Sequence, residues 1–197
     1  MLVAIDTAGP ACAAGFFDGA TALAQTSEMI GRGHAERLMP MLEEMRAKAG
    51  LDWHDVSRIA VTVGPGSFTG LRVGLATARG LGLGLGKPVT GVPVLAAFHA
   101  AFAGDQPLGV ALDARRGQVW WQGAGDAYAR EAVATAGDPI RLAGDGAALV
   151  ATPDSEIISK LSSAPLSAIV SVALADPEMP ATALYLRSPD AKPQKAA

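Results

Sequence analysis

The chain has 197 residues, a formal net charge of −3, 50% hydrophobic residues and a single cysteine. This length and apolar content suffice for one large domain or two small ones. The acidic balance argues against a broad nucleic-acid-binding face, and one cysteine with three histidines excludes an internal disulfide and suits a zinc site poorly. No basic region precedes the apolar N-terminus, and no apolar stretch is long enough to span a bilayer, so we expect a cytoplasmic protein without membrane contact.

Three antiparallel strands open the predicted fold, and the Asp18–Gly19 pair predicts a hairpin turn between the second and third. A helix follows that ends at Gly50, and Pro40 either kinks this helix or marks its true first turn. The predicted strands cover residues 2–7, 12–17 and 20–26, and the helix covers residues 33–49.

The most informative stretch is a glycine-rich turn at 64–70, between a buried strand at 59–63 and a helix at about 68–85. The turn favours phosphate binding, because glycine lets a phosphate approach the free amides at the start of a helix. A tight turn packed against protein, with Ser67 as the N-cap, is the alternative. The run lacks the signatures of a P-loop, a dinucleotide fingerprint and a nucleophile elbow. The residues of this possible nucleotide, phosphate or structural loop are Asp6, Gly64, Gly66, Ser67, Thr69 and Arg72.

The element order βββαβαβα is typical of a ribonuclease-H-like α/β domain, the half-unit of the actin-like ATPase (ASKHA) fold. After about 105 residues the chain restarts its opening motif with a strand that again ends in an acid, which predicts a second, shortened α/β domain. The later strands are predicted at 88–92, 108–112 and 118–122, and a further helix at 94–103. The domains are predicted at 1–103 and 104–187, with a flexible tail at 188–197.

Two acids, Asp6 and Asp113, end the first strand of each half. In actin-like ATPases such acids flank the nucleotide, which favours an autonomous actin-like ATPase or phosphotransferase using these acids and the 64–70 loop. Pro10 argues against it, since proline removes an amide donor where such enzymes wrap the phosphates. Carboxylates that cap turns are the alternative interpretation.

Two helices carry more smooth or apolar surface than one core requires. Small residues recur at every fourth position of the second helix, which favours close approach of a partner helix; packing onto the chain's own sheet is the alternative. Met39 and Met41 lie off the apolar stripe of the first helix, and flexible thioethers suit an adaptable protein surface. The small residues are Gly66, Gly70, Gly74, Ala78, Gly82 and Gly86.

Several motifs resemble the TsaB (YeaZ) family in order and spacing over nearly the whole chain, and the glycine-rich run is highly specific to that family. They are the runs at 5–8, 34–40, 64–74, 91–93, 113–119 and 185–187.

The resemblance implies a member of the actin-like superfamily that is a degenerate relative of TsaD and the wider glycoprotease-like proteins. It implies a non-catalytic scaffold or activator, partner of TsaD and TsaE, required for threonylcarbamoylation of the adenosine beside the anticodon in tRNAs that read codons beginning with A. TsaD carries the transferase chemistry. The chain then binds TsaD as a heterodimer through its N-terminal-domain helices, forms a homodimer when alone, and meets tRNA only through the complex.

The metal site of TsaD, a His-x-x-x-His pair, falls here on Val94 and Phe98, which cannot bind metal; His99 stands alone one position out. The resemblance thus implies no catalytic residue, no metal, no protease activity and no required cofactor, and is compatible with a weakly bound ATP or ADP at the partner interface. The residues expected at that interface are His34, Leu38, Met41, Leu42, Met45, Gly66, Phe68, Gly70, Leu71, Gly74 and Ala78.

Overall fold

A computed structural model describes residues 1–123, 130–133 and 141–186, which form two mixed five-stranded sheets. The first sheet has the strand order β3-β2-β1-β4-β5, in which the opening strands are antiparallel and the last pairs are parallel. This order confirms the predicted meander followed by crossovers. The strands are β1 (Leu2–Asp6), β2 (Ala11–Asp18), β3 (Thr21–Met29), β4 (Arg58–Gly64) and β5 (Val89–Pro93).

Alternate residues of the central strand face two different layers of helices. Val3 and Ile5 pack in a cluster with α1 and α2, whereas Leu2 and Ala4 pack in a cluster with α3 and α5. A strand buried on both faces is apolar at every position, as β1 is up to Asp6. The helices are α1 (His34–Ala49), α2 (Phe68–Leu85), α3 (Val94–Ala101), α4 (Ala147–Val150) and α5 (Leu166–Ala175).

The first helix runs through Pro40, which lies inside α1 at an exposed position, so this proline does not mark the true first turn. Gly33 and Gly50 flank the helix in left-handed backbone conformations, with φ of 87° and 66°. The amide of Gly50 donates to the Ala47 carbonyl, which satisfies one of the free acceptors at the helix end.

The second sheet repeats the topology of the first, since its order β8-β7-β6-β9-β10 puts its five strands in the same relative positions. The two halves also share local detail: Gly64, the last residue of β4, and Gly144, the residue after β9, have φ of 111° and 108°. The prediction of a repeated half-unit is therefore confirmed. The strands are β6 (Leu108–Arg115), β7 (Gln118–Gln122), β8 (Arg130–Val133), β9 (Arg141–Ala143) and β10 (Glu156–Ile157).

A strap at 177–186 returns to the first sheet and covers the outer edge of β5. The amide of Gly91 donates to the Met179 carbonyl at 2.9 Å, and the amide of Leu184 donates to the Val63 carbonyl at 2.7 Å. Arg79 Nη2 donates to the Ala181 carbonyl at 2.7 Å and ties the strap to α2.

Helix α5, which the domain prediction assigns to the second half, packs against β1 and α3, and the boundaries at 104 and 187 stay predictions. The predicted tail at 188–197 lies outside the described residues. Among the helices described, none combines the length and apolar character that crossing a bilayer requires.

Candidate functional site

A cleft of about 340 Å³ lies between the two halves, at the carboxyl ends of their first strands. Asp6 ends β1 and Asp113 lies near the end of β6, and both line the cleft together with Ser67 of the glycine loop and Asp145, which follows β9. The chain repeat brings these groups together, because equivalent strand ends meet where two similar half-units face each other. This is the position at which α/β sheets bind ligands.

Asp6 is a buried carboxylate that caps its own turn. Its Oδ1 accepts hydrogen bonds from the Ala8 amide at 3.0 Å and from Thr62 Oγ1 at 2.8 Å, and the residue is 1% exposed. Burial raises the pKa of Asp6 above its ordinary value of 3.8, against the lowering effect of these two hydrogen bonds. Asp6 therefore has the contacts of the turn-capping alternative.

The acids of the second half also bond to nearby backbone. Asp113 Oδ1 accepts from the Arg115 amide at 2.7 Å, and Arg115 Nη1 lies 3.3 Å from Asp113 Oδ2. Asp145 Oδ1 accepts from the Asp113 amide at 2.9 Å. Burial, followed by the nearby Asp113 charge, raises the pKa of Asp145. These bonds hold the turns that end β6 and β9, in the same way as Asp6 holds the turn after β1.

The glycine loop is filled by the chain's own backbone. A Cβ atom at Gly66 would overlap the Ala8 carbonyl oxygen, and one at Gly70 would overlap the Thr7 carbonyl oxygen. The Ser67 amide donates to the Ala8 carbonyl at 2.7 Å, and Ser67 Oγ accepts from the Gly70 amide at 3.2 Å. The predicted N-cap is thus confirmed, and Thr7–Ala8 occupies the concave side of the loop that a phosphate would need.

The residues predicted for a phosphate loop do not converge. Asp6, Gly66 and Ser67 line the cleft, whereas Thr69 and Arg72 line a groove on the outer surface. The Arg72 guanidinium carbon lies 3.8 Å from the centroid of the Phe68 ring, on the groove side of α2. The structure therefore does not bring Arg72 to the cleft, and a phosphate site formed by the other residues of the possible nucleotide, phosphate or structural loop stays a prediction.

The described cleft side chains favour cations over anions. Three carboxylates, from Asp6, Asp113 and Asp145, line it with one guanidinium, that of Arg115. A polyphosphate brought into the cleft would meet an excess of like charge.

Trp120 Nε1, also at the cleft, is buried without a hydrogen-bond partner in the part of the chain that the structure describes. Over the same residues, no group of three His, Cys, Asp or Glu side chains is placed to hold a metal ion.

Most side chains expected at a partner interface are buried inside this chain. On the inner face of α1, the exposure is 0% for Leu38, Met41 and Leu42. On the inner face of α2, the exposure is at most 1% for Leu71 and Ala78. His34 is 8% exposed and donates from Nε2 to the Ala11 carbonyl at 3.2 Å. These side chains pack against their own sheet, and their place at a partner interface stays a prediction. Met45 is half-buried against the same cluster.

The small residues at every fourth position of α2, here called the glycine ridge, also pack inside this chain over most of the helix. A Cβ atom at Gly74 would overlap Thr7 Oγ1, and one at Gly82 would lie 2.5 Å from Val89 Cγ2. With Gly66 and Gly70 against Ala8 and Thr7, the ridge allows α2 to approach β1 and β5 of its own sheet. Packing onto the chain's own sheet, the alternative stated for this ridge, is therefore what the structure shows.

A different face of α2 remains exposed. Ala76, Gly80 and Gly84 lie on it at intervals of one helical turn, beside Leu83, whose side chain is 88% exposed. A Cβ atom at Gly80 or Gly84 would meet nothing within 4 Å in the described part of the chain, so packing there does not require either glycine.

Beside this face, a groove of about 420 Å³ separates α2 from the start of α1. Ala35 and Phe68 line it, and the Phe68 ring lies 4.9 Å from the ring of Tyr185 in the strap. Together these residues give α1 and α2 an outer surface with mostly small or apolar side chains.

Sequence reasoning missed Asp145, Gly80 and Gly84, and it noted Tyr185 only as part of the motif at 185–187. The repeat could have identified Asp145, because it follows the fourth strand of the second half. No pattern in the sequence separates Gly80 and Gly84 from the buried glycines, because both sets recur with a spacing of four. Val94 and Phe98, where the resemblance places the metal ligands of TsaD, are buried in the core at α3, and His99 Nε2 donates to the Gln122 carbonyl at 3.3 Å.

Comparison with known proteins finds one matching family and several similar proteins. The family described as TsaD, tRNA N6-adenosine threonylcarbamoyltransferase, matches residues 26–149. An uncharacterized protein of Mycobacterium tuberculosis is 37% identical over 203 residues, which cover 98% of this chain and 94% of that protein. The tRNA threonylcarbamoyladenosine biosynthesis protein TsaB of Escherichia coli K12 is 37% identical over 123 residues, which cover 61% of this chain and 53% of that protein.

A solved structure, YeaZ from Pseudomonas aeruginosa, superposes with a TM-score of 0.76 and 25% identity, over 94% of this chain and 99% of that one. Fold and sequence therefore agree with the resemblance that the motifs indicate. This chain belongs to the TsaB (YeaZ) family, and the match of residues 26–149 to the TsaD model shows that it is related to the TsaD family.

Proposed function

We propose that this chain takes part in tRNA threonylcarbamoyladenosine biosynthesis as a non-catalytic subunit that binds the TsaD transferase. The likeness to TsaB of Escherichia coli supports the pathway. The buried Val94 and Phe98 support a role without the metal chemistry of TsaD. The subunit acts in the cytoplasm as a partner of TsaD and TsaE, and it meets tRNA only through the complex.

The outer face of α2 is the surface that we propose for docking. A glycine inside a helix costs about 1 kcal/mol relative to alanine, and Gly80 and Gly84 recover nothing from contacts within this fold. A partner helix that packs across them at close range would recover this cost. Leu83, at 88% exposed, supplies apolar surface at the same place. The open space around Gly80 and Gly84 is the observation that carries this proposal.

The alternative function, an autonomous actin-like ATPase or phosphotransferase, finds less support. It requires the 64–70 loop to hold phosphates, but Thr7 and Ala8 fill that loop. It also requires a polyphosphate to enter a cleft lined by Asp6, Asp113 and Asp145. A nucleotide held weakly at the partner interface stays a prediction, to be measured on the assembled complex.

The docking face is tested with Leu83→Glu and its matched control Leu174→Glu. Both side chains are exposed, at 88% and 51%, and both lie on helices, so each variant should fold as the wild type does. We expect Leu83→Glu to lose the complex with TsaD on a sizing column and to lose tRNA modification in the reconstituted system. We expect Leu174→Glu to keep both.

Gly80→Arg is a second test, since arginine is a good helix former and its Cβ has open space. A Gly80→Arg chain that binds TsaD with wild-type affinity would refute the docking face. Separately, ATP turnover of the purified chain alone tests the enzymatic alternative: metal-dependent hydrolysis that Asp113→Asn abolishes would overturn the non-catalytic role.

A further inference from the structure

Two buried polar atoms at the cleft between the halves lack a hydrogen-bond partner among the described residues. Trp120 Nε1, which can only donate, is buried there and donates to no described acceptor. Asp6 is 1% exposed, and both hydrogen bonds that it accepts, from the Ala8 amide and Thr62 Oγ1, go to Oδ1, so Oδ2 accepts none from the described chain. Buried polar atoms normally have partners. A ligand that carries both an acceptor and a donor would satisfy both atoms.

The cleft offers further donors to an anionic group. Ser67 Oγ accepts from the Gly70 amide at 3.2 Å, and its own hydroxyl hydrogen donates to no described group. Arg115 lines the cleft with a side chain that is 77% exposed, and its Nη1 lies 3.3 Å from Asp113 Oδ2. Together with Trp120 Nε1, these groups suit a carboxylate, which guanidinium and hydroxyl donors bind well.

A pair of carboxylates supplies the opposite charge. Asp113 and Asp145 meet where β6 and β9 end, since the Asp113 amide donates to Asp145 Oδ1 at 2.9 Å. Among the described residues that line the cleft, Arg115 carries the one guanidinium, and it neutralises one carboxylate of this pair. The pKa of Asp145 is raised by burial and also by the Asp113 charge, as expected where positive charge is scarce. An ammonium group would balance the pair.

The rest of the cleft wall is apolar, and the space is small. Its volume of about 340 Å³ lies near the lower end of the range for ligand pockets, about 300–1,000 Å³. A small aliphatic side chain matches this wall in polarity. The apolar residues of the wall include Pro10, Pro65, Val94 and Leu112.

Two other classes of ligand fit the cleft less well. A divalent cation such as Mg²⁺ or Ca²⁺ requires several oxygen ligands, and no group of three suitable side chains is placed for one in the described part of the chain. A polyphosphate would add like charge to a cleft that three carboxylates already line. A zwitterion brings both charges at once and leaves the net charge of the cleft unchanged.

We propose that the cleft binds a free amino acid with a small aliphatic side chain. Its ammonium group donates to the carboxylates of both halves, its carboxylate accepts from Trp120 Nε1 and Ser67, and its side chain packs against the apolar wall. The site shares no residue with the outer face of α2, so this inference does not rest on the docking face or on TsaD.

The test follows the indole protons of the full chain by NMR during titration with L-alanine, L-valine and L-leucine. The Trp120 resonance is identified by its loss in Trp120→Phe. Trp53 Nε1 already donates to Glu43 Oε1 at 2.8 Å and does not line the cleft, so its resonance is the internal reference. We expect a saturable shift of the Trp120 indole proton with at least one of the three amino acids and no shift at Trp53.

Matched ligands and matched variants serve as controls. 3-Methylbutanoate is valine without its ammonium group, and 2-methylpropylamine is valine without its carboxylate; we expect both to bind more weakly than L-valine. Asp145→Asn keeps an oxygen for the Asp113 amide but removes one charge, and it should raise the Kd for the amino acid at least about tenfold. Asp154→Asn, exposed and outside the cleft lining, removes the same charge and should leave the Kd unchanged.

The absence of a Trp120 shift with all three amino acids would overturn the proposal. Equal binding of 3-methylbutanoate or inorganic phosphate would assign the cleft to anions, and equal binding of 2-methylpropylamine would show that the carboxylate plays no part; either result refutes an amino acid site. An unchanged Kd in Asp145→Asn would do the same. The backbone amide spectrum of each variant reports its fold, and the matched ligands decide the question on the wild-type chain alone.

Discussion

Two alanine substitutions in α2 separate glycines that the fold requires from glycines that it does not. Gly74→Ala and Gly80→Ala add the same methyl group inside the same helix. The methyl group at position 74 would overlap Thr7 Oγ1 and lie 3.4 Å from Val61 Cγ2. The methyl group at position 80 would meet no atom within 4 Å.

The magnitudes follow from helix propensity and packing. Each substitution gains about 1 kcal/mol of helix propensity, and this gain cancels when the two variants are compared. At position 74, Thr7 must move although its hydroxyl donates to the Gly70 carbonyl at 2.8 Å, and overpacking of this kind costs about 1–3 kcal/mol. The two variants should therefore differ by about 1–3 kcal/mol in free energy of unfolding, with Gly80→Ala the more stable.

Urea unfolding followed by circular dichroism measures this difference. Gly80→Ala should raise the unfolding midpoint above that of the wild type, and Gly74→Ala should not, while the slope with urea stays the same. In thermal unfolding, each kcal/mol corresponds to about 2–4 °C for a chain of this size. Equal stability of the two variants, or a destabilised Gly80→Ala, would refute the assignment of Gly74 to the core and of Gly80 to a free surface.

Two further predictions concern buried titratable groups. Because burial raises the pKa of Asp6 above 3.8, its contribution to stability is fully present below 3.8 and is lost as pH rises through the raised value. Asp6→Asn keeps an oxygen acceptor and should remove this fall in stability, which chemical unfolding from pH 4 to 7 would show; an unchanged pH profile would contradict the assignment. The Cys12 thiol should not react with a thiol reagent in the folded chain and should react fully in urea, and rapid reaction of native protein would show that β2 opens.

The sequence alone predicted most elements of the first half, because each has a local signature. Short runs of strand-forming residues and the Asp18–Gly19 turn indicated β1 to β3, and Gly50 ended α1 where predicted. Strand β3 continues to Met29, beyond the predicted end at 26, since the polar residues there still alternate along the edge. The acid that ends β1 and its counterpart in β6 also predicted the repeat of the half-unit.

Only the tertiary structure decided what the glycines of α2 do. A spacing of four describes Gly70 and Gly74 as well as Gly80 and Gly84, although a Cβ atom would overlap Thr7 at the first pair and would meet no described atom within 4 Å at the second. The helix is the same in both cases, and the difference lies in which side of it faces β1. That orientation depends on long-range packing of the helix against the sheet, which no local pattern encodes. The sequence therefore indicated a helix rich in small residues, and the fold decided which of its glycines face the sheet and which lie on the exposed side.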